Sequence, residues 1–317
     1  MVFSVENFVS HYQEERPIDW DKQFGQKKPL DVEIGFGLGE FLVRTAMNNP
    51  DRNIVGIERD WQRLKKALRR IDIVRRKNHN EQLATNVRIL QIDAVVAFER
   101  IFRPQTITKI CCLFPCPWPK KGHEKYRLFS KKFLQLINSR LIEQGEVQLV
   151  TDYEPYFHWV LEQVEGMGFR WEKDIIHPQF DTKFEKKWCA EGQKEFFELR
   201  LIKEKHCDIP LTEDEDLRVY FSNDFVPERF QVEKVTGETS IIQKDFLFDA
   251  NRQKAMVLVV VAEETITQHV WITIIKGPRG WCVAKAAGHS VLPTAGVGKA
   301  INQVYQAVCQ SIKGVKS

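Results

Sequence analysis

Long apolar runs are missing from this chain. The longest extends only from Met256 to Ala262, far short of the ~20 residues that a membrane-spanning helix needs. It reads as a buried strand, and no membrane partner is expected. The opening residues Met1-Val2-Phe3-Ser4-Val5-Glu6-Asn7 lack the basic cap, apolar core and cleavage site of an export signal. Cysteine is sparse as well. The seven present are odd in number and in no metal-like spacing, and Cys111-Cys112 adjoin within an apolar stretch. Free thiols in a reducing cytoplasm are expected, with neither a disulfide framework nor a bound metal. Neither sign of charge dominates, since 47 Lys and Arg stand against 43 Asp and Glu. With 43% hydrophobic and 28% charged residues, the 317-residue chain is an ordinary globular one with room for two domains. Oligomeric state is not legible.

What is present first is a glycine turn. An apolar run enters from Leu30-Asp31-Val32, Glu33-Ile34-Gly35-Phe36-Gly37-Leu38-Gly39-Glu40 follows, and a helical pattern starts at Phe41-Leu42-Val43. Strand, glycine turn and helix in succession are how an open α/β sheet brings backbone close to a nucleotide. The dinucleotide fingerprint needs a third glycine where Glu40 stands, so that motif is excluded. No phosphate-binding lysine is present either. An acid two residues before G-x-G-x-G is instead similar to the arrangement of S-adenosylmethionine (SAM) methyltransferases. In them the carboxylate, here Glu33, lies near the positively charged methionine end of the cofactor, and Gly35 and Gly37 let the backbone approach it. The run Asn53-Ile54-Val55-Gly56-Ile57-Glu58 reads as a buried parallel strand whose terminal acid can accept both ribose hydroxyls. A third strand, Val87 to Ile92, ends at Asp93-Ala94, where the acid can accept from an adenine amino group. Each acid alone is equally well a loop residue or a helix N-cap. Three of them in order at successive strand ends favour a ligand-binding edge.

Strands and helices alternate up to about Lys203. Ile107 to Phe114 reads as a strand, followed by a proline-rich loop, a helix around Phe129 to Leu141, and a strand Glu146 to Val150 closing with Thr151-Asp152. A helix from Tyr156 to Met167 precedes strands at Trp171 to Ile175 and Glu195 to Ile202. The expected fold is α/β, a doubly wound, mostly parallel, Rossmann-like sheet over residues 1–203 with ligands at the carboxyl ends of its strands. Residues 204–216, with the acidic run Glu213-Asp214-Glu215-Asp216, read as a linker. Residues 217–317 read as a smaller C-terminal α+β domain of unassigned role. Its expected strands are Leu217 to Ser222, Gln231 to Thr236, Lys244 to Phe248, Met256 to Ala262 and His269 to Ile275. A Gly277-Pro278-Arg279-Gly280 turn then leads into Trp281-Cys282-Val283-Ala284, and a last helix carries Ile301, Val304, Val308 and Ile312 on one face. Ala295-Gly296-Val297-Gly298-Lys299-Ala300 is no phosphate loop, because Pro293 stands where its first glycine belongs and Ala300 where its magnesium-binding hydroxyl belongs.

Charge is unevenly placed. From Asp208 onward 12 Lys and Arg face 13 Asp and Glu, which leaves 35 against 30 in the residues before it. Within those, Arg59 to Lys77 holds nine basic residues and two acids, with Trp61, Leu64, Leu68, Ile71 and Val74 recurring on the opposite side. Such a helix is either a solvated surface or a face for a polyanion. The lopsided count favours nucleic acid, without separating DNA from RNA.

The fourth expected strand leads into Phe114-Pro115-Cys116-Pro117-Trp118-Pro119-Lys120-Lys121-Gly122-His123-Glu124-Lys125-Tyr126-Arg127. Three prolines in five residues stiffen the loop, and an indole followed by cations suits a planar base attached to phosphates. Together with Thr151-Asp152 and Thr182-Lys183-Phe184-Glu185, these motifs make residues 28 to 202 resemble the bacterial tRNA (guanine-N7)-methyltransferases. The resemblance implies that Glu33, Gly35, Gly37, Glu58, Asp93, Ala94 and Cys116 border SAM. Lys120, Asp152, Thr182 and Glu185 would hold the guanine or close the site, and the stretch around His123, Lys125 and Arg127 would touch tRNA. The family's target is a guanine in the tRNA variable loop.

One departure stands out. The family's loop reads Phe-Pro-Asp-Pro-Trp, with an aspartate regarded as catalytic, and here that position is Cys116. Guanine N7 carries a free lone pair, so no proton has to leave before attack and alignment supplies most of the help. Asp152 or Glu185 is then available for the guanine amino edge. Gly122, Glu124 and Tyr126 also stand where basic residues are frequent in the family. Two other readings compete. Pro115-Cys116 invites cytosine-C5 methylation with the thiolate as nucleophile, and a decayed site would leave a tRNA-binding protein without catalysis.

Overall fold

In the computed structural model, which describes residues 4–313, the chain divides after Thr212 into two units. The first is built on a seven-stranded sheet of order β3-β2-β1-β4-β5-β7-β6. After a short helix α1 (Trp20–Phe24) come β1 (Leu30–Ile34), α2 (Glu40–Asn48), β2 (Asn53–Glu58), α3 (Trp61–Lys77), β3 (Val87–Gln91) and α4 (Ala94–Arg100). There follow β4 (Ile107–Leu113), α5 (Lys131–Arg140), β5 (Leu141–Thr151), α6 (Glu154–Val164), β6 (Phe169–Ile176), α7 (Lys183–Ala190) and β7 (Phe196–Lys203). β1 to β5 pair in parallel, and β7 slots antiparallel between β5 and β6. This is the doubly wound sheet expected. β2 is buried at all six positions, as a central parallel strand covered on both faces must be.

Helix α3 departs from its expected faces. Leu64, Ala67, Leu68 and Ile71 are buried as its pattern implies, but Arg75 is buried with them and Trp61 is exposed. The Arg75 guanidinium donates to the Leu83 carbonyl (2.9 Å), which compensates its burial. Trp61, the first residue of α3, packs edge-to-face with Phe8, 5.8 Å between centroids. Arg59, Arg63, Lys66, Arg69, Arg76 and Lys77 remain exposed.

The second unit is a five-stranded antiparallel sheet of order β8-β12-β11-β10-β9. Its strands are β8 (Tyr220–Ser222), β9 (Ser240–Asp249), β10 (Lys254–Ala262), β11 (Thr267–Gly277) and β12 (Gly280–Lys285), followed by α8 (Ala295–Ile312). Alternate residues Ala255, Val257, Val259 and Val261 of β10 form a core with Ile301, Val304 and Val308 of α8. Two expectations are corrected here. Gln231 to Thr236 makes no strand, only an isolated bridge between Val235 and Ile241. Val232 within it and Phe230 just before it are sunk into the core from irregular backbone. Leu217 to Ser222 shortens to the three residues of β8. The glycine-lysine run is the first turn of α8, where the Glu263 carboxylate accepts the Gly296 N–H (2.9 Å) and the Thr294 hydroxyl. Among the described residues no helix is long and apolar enough to cross a membrane.

Candidate active site

β1 and β4 are neighbours, but the chain leaves them toward opposite ends of the sheet. The carboxyl ends of such a pair flank a crevice, the usual ligand position in an open α/β sheet. The glycine turn lies there. Gly35, Gly37 and Gly39 have φ of 71°, 57° and 73°, left-handed values that favour glycine. Gly35 donates to the Ile57 carbonyl (2.8 Å), and Gly37 donates to Oε2 of Glu58 (3.2 Å). The other oxygen of Glu58 accepts from Asp60 N–H (3.0 Å), so this acid shapes the turn it borders. Gly39 caps α2, and a Cβ there would lie 2.6 Å from that of Ala67 on α3.

Glu33 faces this cleft from β1 and is only 5% exposed. Among the described residues its carboxylate has no hydrogen-bonding or ion-pairing partner. Burial pushes its pKa up to about 8, with nearby Glu40 adding to the rise and Arg44 opposing it. A buried carboxylate without a partner is costly to ionise and is satisfied by an incoming cation.

The opposite wall comes from Leu113 and Phe114 at the end of β4 and from Thr182, Lys183 and Phe184 at the start of α7. The segment before α7 is pinned. Glu185 accepts backbone N–H groups of Gln179 (2.7 Å), Phe180 (3.0 Å) and Asp181, while Thr182 Oγ1 accepts the Glu185 N–H (3.2 Å). Thr182 is thus the N-cap of α7, while the Glu185 carboxylate reaches past it to the three amides that precede it. From α2, Glu40 accepts the Lys183 N–H (3.3 Å), and Arg44 donates to the Phe180 carbonyl and lies 3.7 Å from Asp181.

The proline loop is equally fixed. Phe114 and Trp118 hold φ of 54° and 44°, strained for bulky side chains and typical of over-determined loops near function. Arg127 turns inward rather than toward solvent. Its Nε donates to the Pro117 carbonyl (2.9 Å), and its guanidinium lies over Trp159 (5.0 Å) and Tyr156 (5.7 Å). Cys116, Lys120 and Lys125 are exposed, and His123 is half-buried. Asp152, after β5, is half-buried, and burial raises its carboxyl pKa. Asp93 caps α4 through the Val95 N–H (2.9 Å) and pairs with Arg59 (3.3 Å), and Ala94 is buried in the first turn of α4.

The cleft lining thus joins Glu33, Gly35, Gly37 and Thr182, with Glu58 touching the turn through Gly37. Asp93 and Ala94, Cys116 and Lys120, and Asp152 stand on adjacent strand-end loops outside that lining, and Glu185 lies beneath the loop it caps. Glu40 and Arg44 were not singled out from sequence, although both fall on the first turns of α2 facing the glycine motif. The start of α7 was legible in principle, because Thr with Glu three residues later is a helix N-terminus signal.

Sheet, glycine turn and unpaired acid make a ligand cleft at the carboxyl ends of the parallel strands. The chain belongs to the family described as "Putative methyltransferase", whose model matches residues 27–198. A tRNA (guanine-N(7)-)-methyltransferase of Chlorobium phaeobacteroides is 41% identical over 179 residues, 56% of this chain and 84% of its own. One of that name from Thermus thermophilus is 31% identical over 263 residues, 81% of each chain, so its match reaches into the second unit. Among solved structures, an antibiotic-related methyltransferase shares 18% identity over 62% of this chain and 99% of its own, with a TM-score of 0.46.

Proposed function

We propose that this protein transfers a methyl group from SAM to N7 of a guanine in tRNA, in the variable loop, and does so in the cytoplasm. The observation that carries the reading is the buried, partnerless Glu33 carboxylate beside the glycine turn, in a chain whose relatives bear that activity in their names. SAM supplies an electrophilic methyl group on a positively charged sulfur. Glu33 faces its cationic end, and Gly35 and Gly37 let backbone approach closely. Glu58 uses lone pairs left over from Gly37 and Asp60 on the ribose hydroxyls. Asp93 and Ala94, at the tip of β3, border the adenine.

On the acceptor side, Lys120, Asp152 and Thr182 hold the guanine. Glu185 acts one step back by keeping the 179–183 segment in place, since its oxygens already serve three backbone amides. Arg127 likewise braces the proline loop, leaving His123 and Lys125 toward RNA. Guanine N7 needs no deprotonation, so the residues chiefly align donor and acceptor, an effect that supplies ~7–11 kcal/mol in well-oriented systems. That accommodates a thiol at Cys116. The exposed cations of α3 complement the phosphate backbone.

Incubating the purified protein with bulk tRNA and methyl-labelled SAM, then analysing nucleosides, tests the reading. Labelled 7-methylguanosine is expected. Label in 5-methylcytidine, abolished by Cys116→Ser, would establish thiolate chemistry instead, and SAM binding without any transfer would indicate a decayed site.

A further inference from the structure

The proline loop and the segment after it carry three side-chain rings in mutual contact. Trp118 lies 5.3 Å from Tyr126 and 5.9 Å from His123, and His123 lies 5.8 Å from Tyr126. Trp118 and His123 are half-buried, whereas Tyr126 is 55% exposed and forms the outermost ring. A single exposed tyrosine is ordinary. This one is held out by its surroundings. Its 3₁₀ turn (Glu124–Tyr126) is closed by hydrogen bonds from Tyr126 N–H to the His123 carbonyl (2.9 Å) and from Arg127 N–H to the Glu124 carbonyl (3.0 Å). Below, the Arg127 guanidinium ties the turn to the Pro117 carbonyl. Lys125 Nζ lies over one face of the Tyr126 ring, 5.1 Å from its centroid, which leaves the other face for a base, and Lys120 and Lys121 are exposed nearby in sequence.

We propose that Tyr126, backed by Trp118 and His123, is a stacking platform for an unpaired base of the RNA substrate next to the target guanine. The inference rests on the tRNA reading above and specifies how that substrate is gripped. A rigid ring beside lysines meets two needs of single-stranded RNA at once, since the π-face takes a base of any identity and the ammonium groups take its phosphates. Stacking does not release counter-ions, so its share of binding persists as salt rises while the phosphate share fades. The loop gains grip on a flat base where it has one cation fewer than a lysine or arginine at this position would provide.

The test compares Tyr126→Ala, Tyr126→Phe and Tyr126→Lys, measuring tRNA Kd directly, KM and kcat for tRNA, and Kd for SAM. Tyr126→Ala should raise Kd and KM for tRNA by about tenfold, at low and at high salt, while kcat and SAM affinity stay within about twofold. Tyr126→Phe should match the wild type. An alanine variant that binds tRNA normally would overturn the platform, as would a phenylalanine variant as weak as alanine or a lysine variant as tight as phenylalanine. Because Tyr126 is exposed, unchanged thermal melting separates lost stacking from lost folding. Wild-type protein that forms no 7-methylguanosine would refute the activity instead, and the direct Kd series would still decide the platform.

Discussion

Glu33 concentrates the electrostatics of the site in one side chain. Its carboxyl is neutral in the free protein below about pH 8 because burial penalises the charge. A cationic donor needs the ionised form, so binding near neutrality must expel a proton. SAM affinity should therefore climb with pH, by up to about tenfold per unit, and level off above pH 8. Calorimetric titrations between pH 6 and 9 would measure that slope, and Glu33→Gln should flatten it and weaken binding at the alkaline end. Stability runs the opposite way. A carboxyl whose folded pKa is raised contributes stability in full below its ordinary range near 4.5, and that contribution is lost as pH rises through about 8. Above pH 8 the glutamine variant should melt higher than the wild type, and equal melting temperatures across the range would contradict the burial argument.

Among the elements, the segment entering α7 shows what a local motif does. Glu185 satisfies three amides, so Glu185→Ala should leave them without partners at a cost of about 1–3 kcal/mol. Faster amide exchange confined to residues 179–185, with little change elsewhere, is the expected signature. At the other wall, Gly39→Ala combines a left-handed φ with a 2.6 Å approach to Ala67. It should cost about 2 kcal/mol or more in chemical denaturation, and adding Ala67→Gly should recover the steric part only. β2 was legible residue for residue because six consecutive buried positions leave one reading. α7 was not, because its one buried residue is Glu185, so no apolar stripe announces a helix. Arg127 looked like one more RNA-facing cation; only the fold shows its guanidinium committed to Pro117 and two aromatic rings.

At the scale of the molecule, the parallel sheet and the antiparallel one were visible as a change from βαβ spacing to alternating strands, and Glu33, Glu58 and Asp93 were visible as acids at or near the carboxyl ends of β1, β2 and β3. Irregular backbone in the second unit was not, since Phe230 and Val232 carry the hydrophobicity of a strand without its ladder. The linker side of the first unit is anchored by Arg140, fully buried, which donates to the carbonyls of Phe98 (2.7 Å), Ile209 (2.7 Å) and Pro210 (3.2 Å). A fragment ending at Thr212 keeps every residue proposed to face the donor and should bind SAM within about twofold of the full chain. A larger loss would mean that the second unit supports the first, whereas a loss confined to tRNA affinity would mean that it extends the RNA-binding surface.

The close approach of Gly39 to Ala67 has a consequence for how the two substrates sense each other. With no room for a methyl group between turn and helix, α3 packs directly against the glycine turn. On the reading proposed above, nucleic acid on the helix's outer cations and a donor beside the turn would share this contact, and any change one made in the other's affinity would be returned by the same factor.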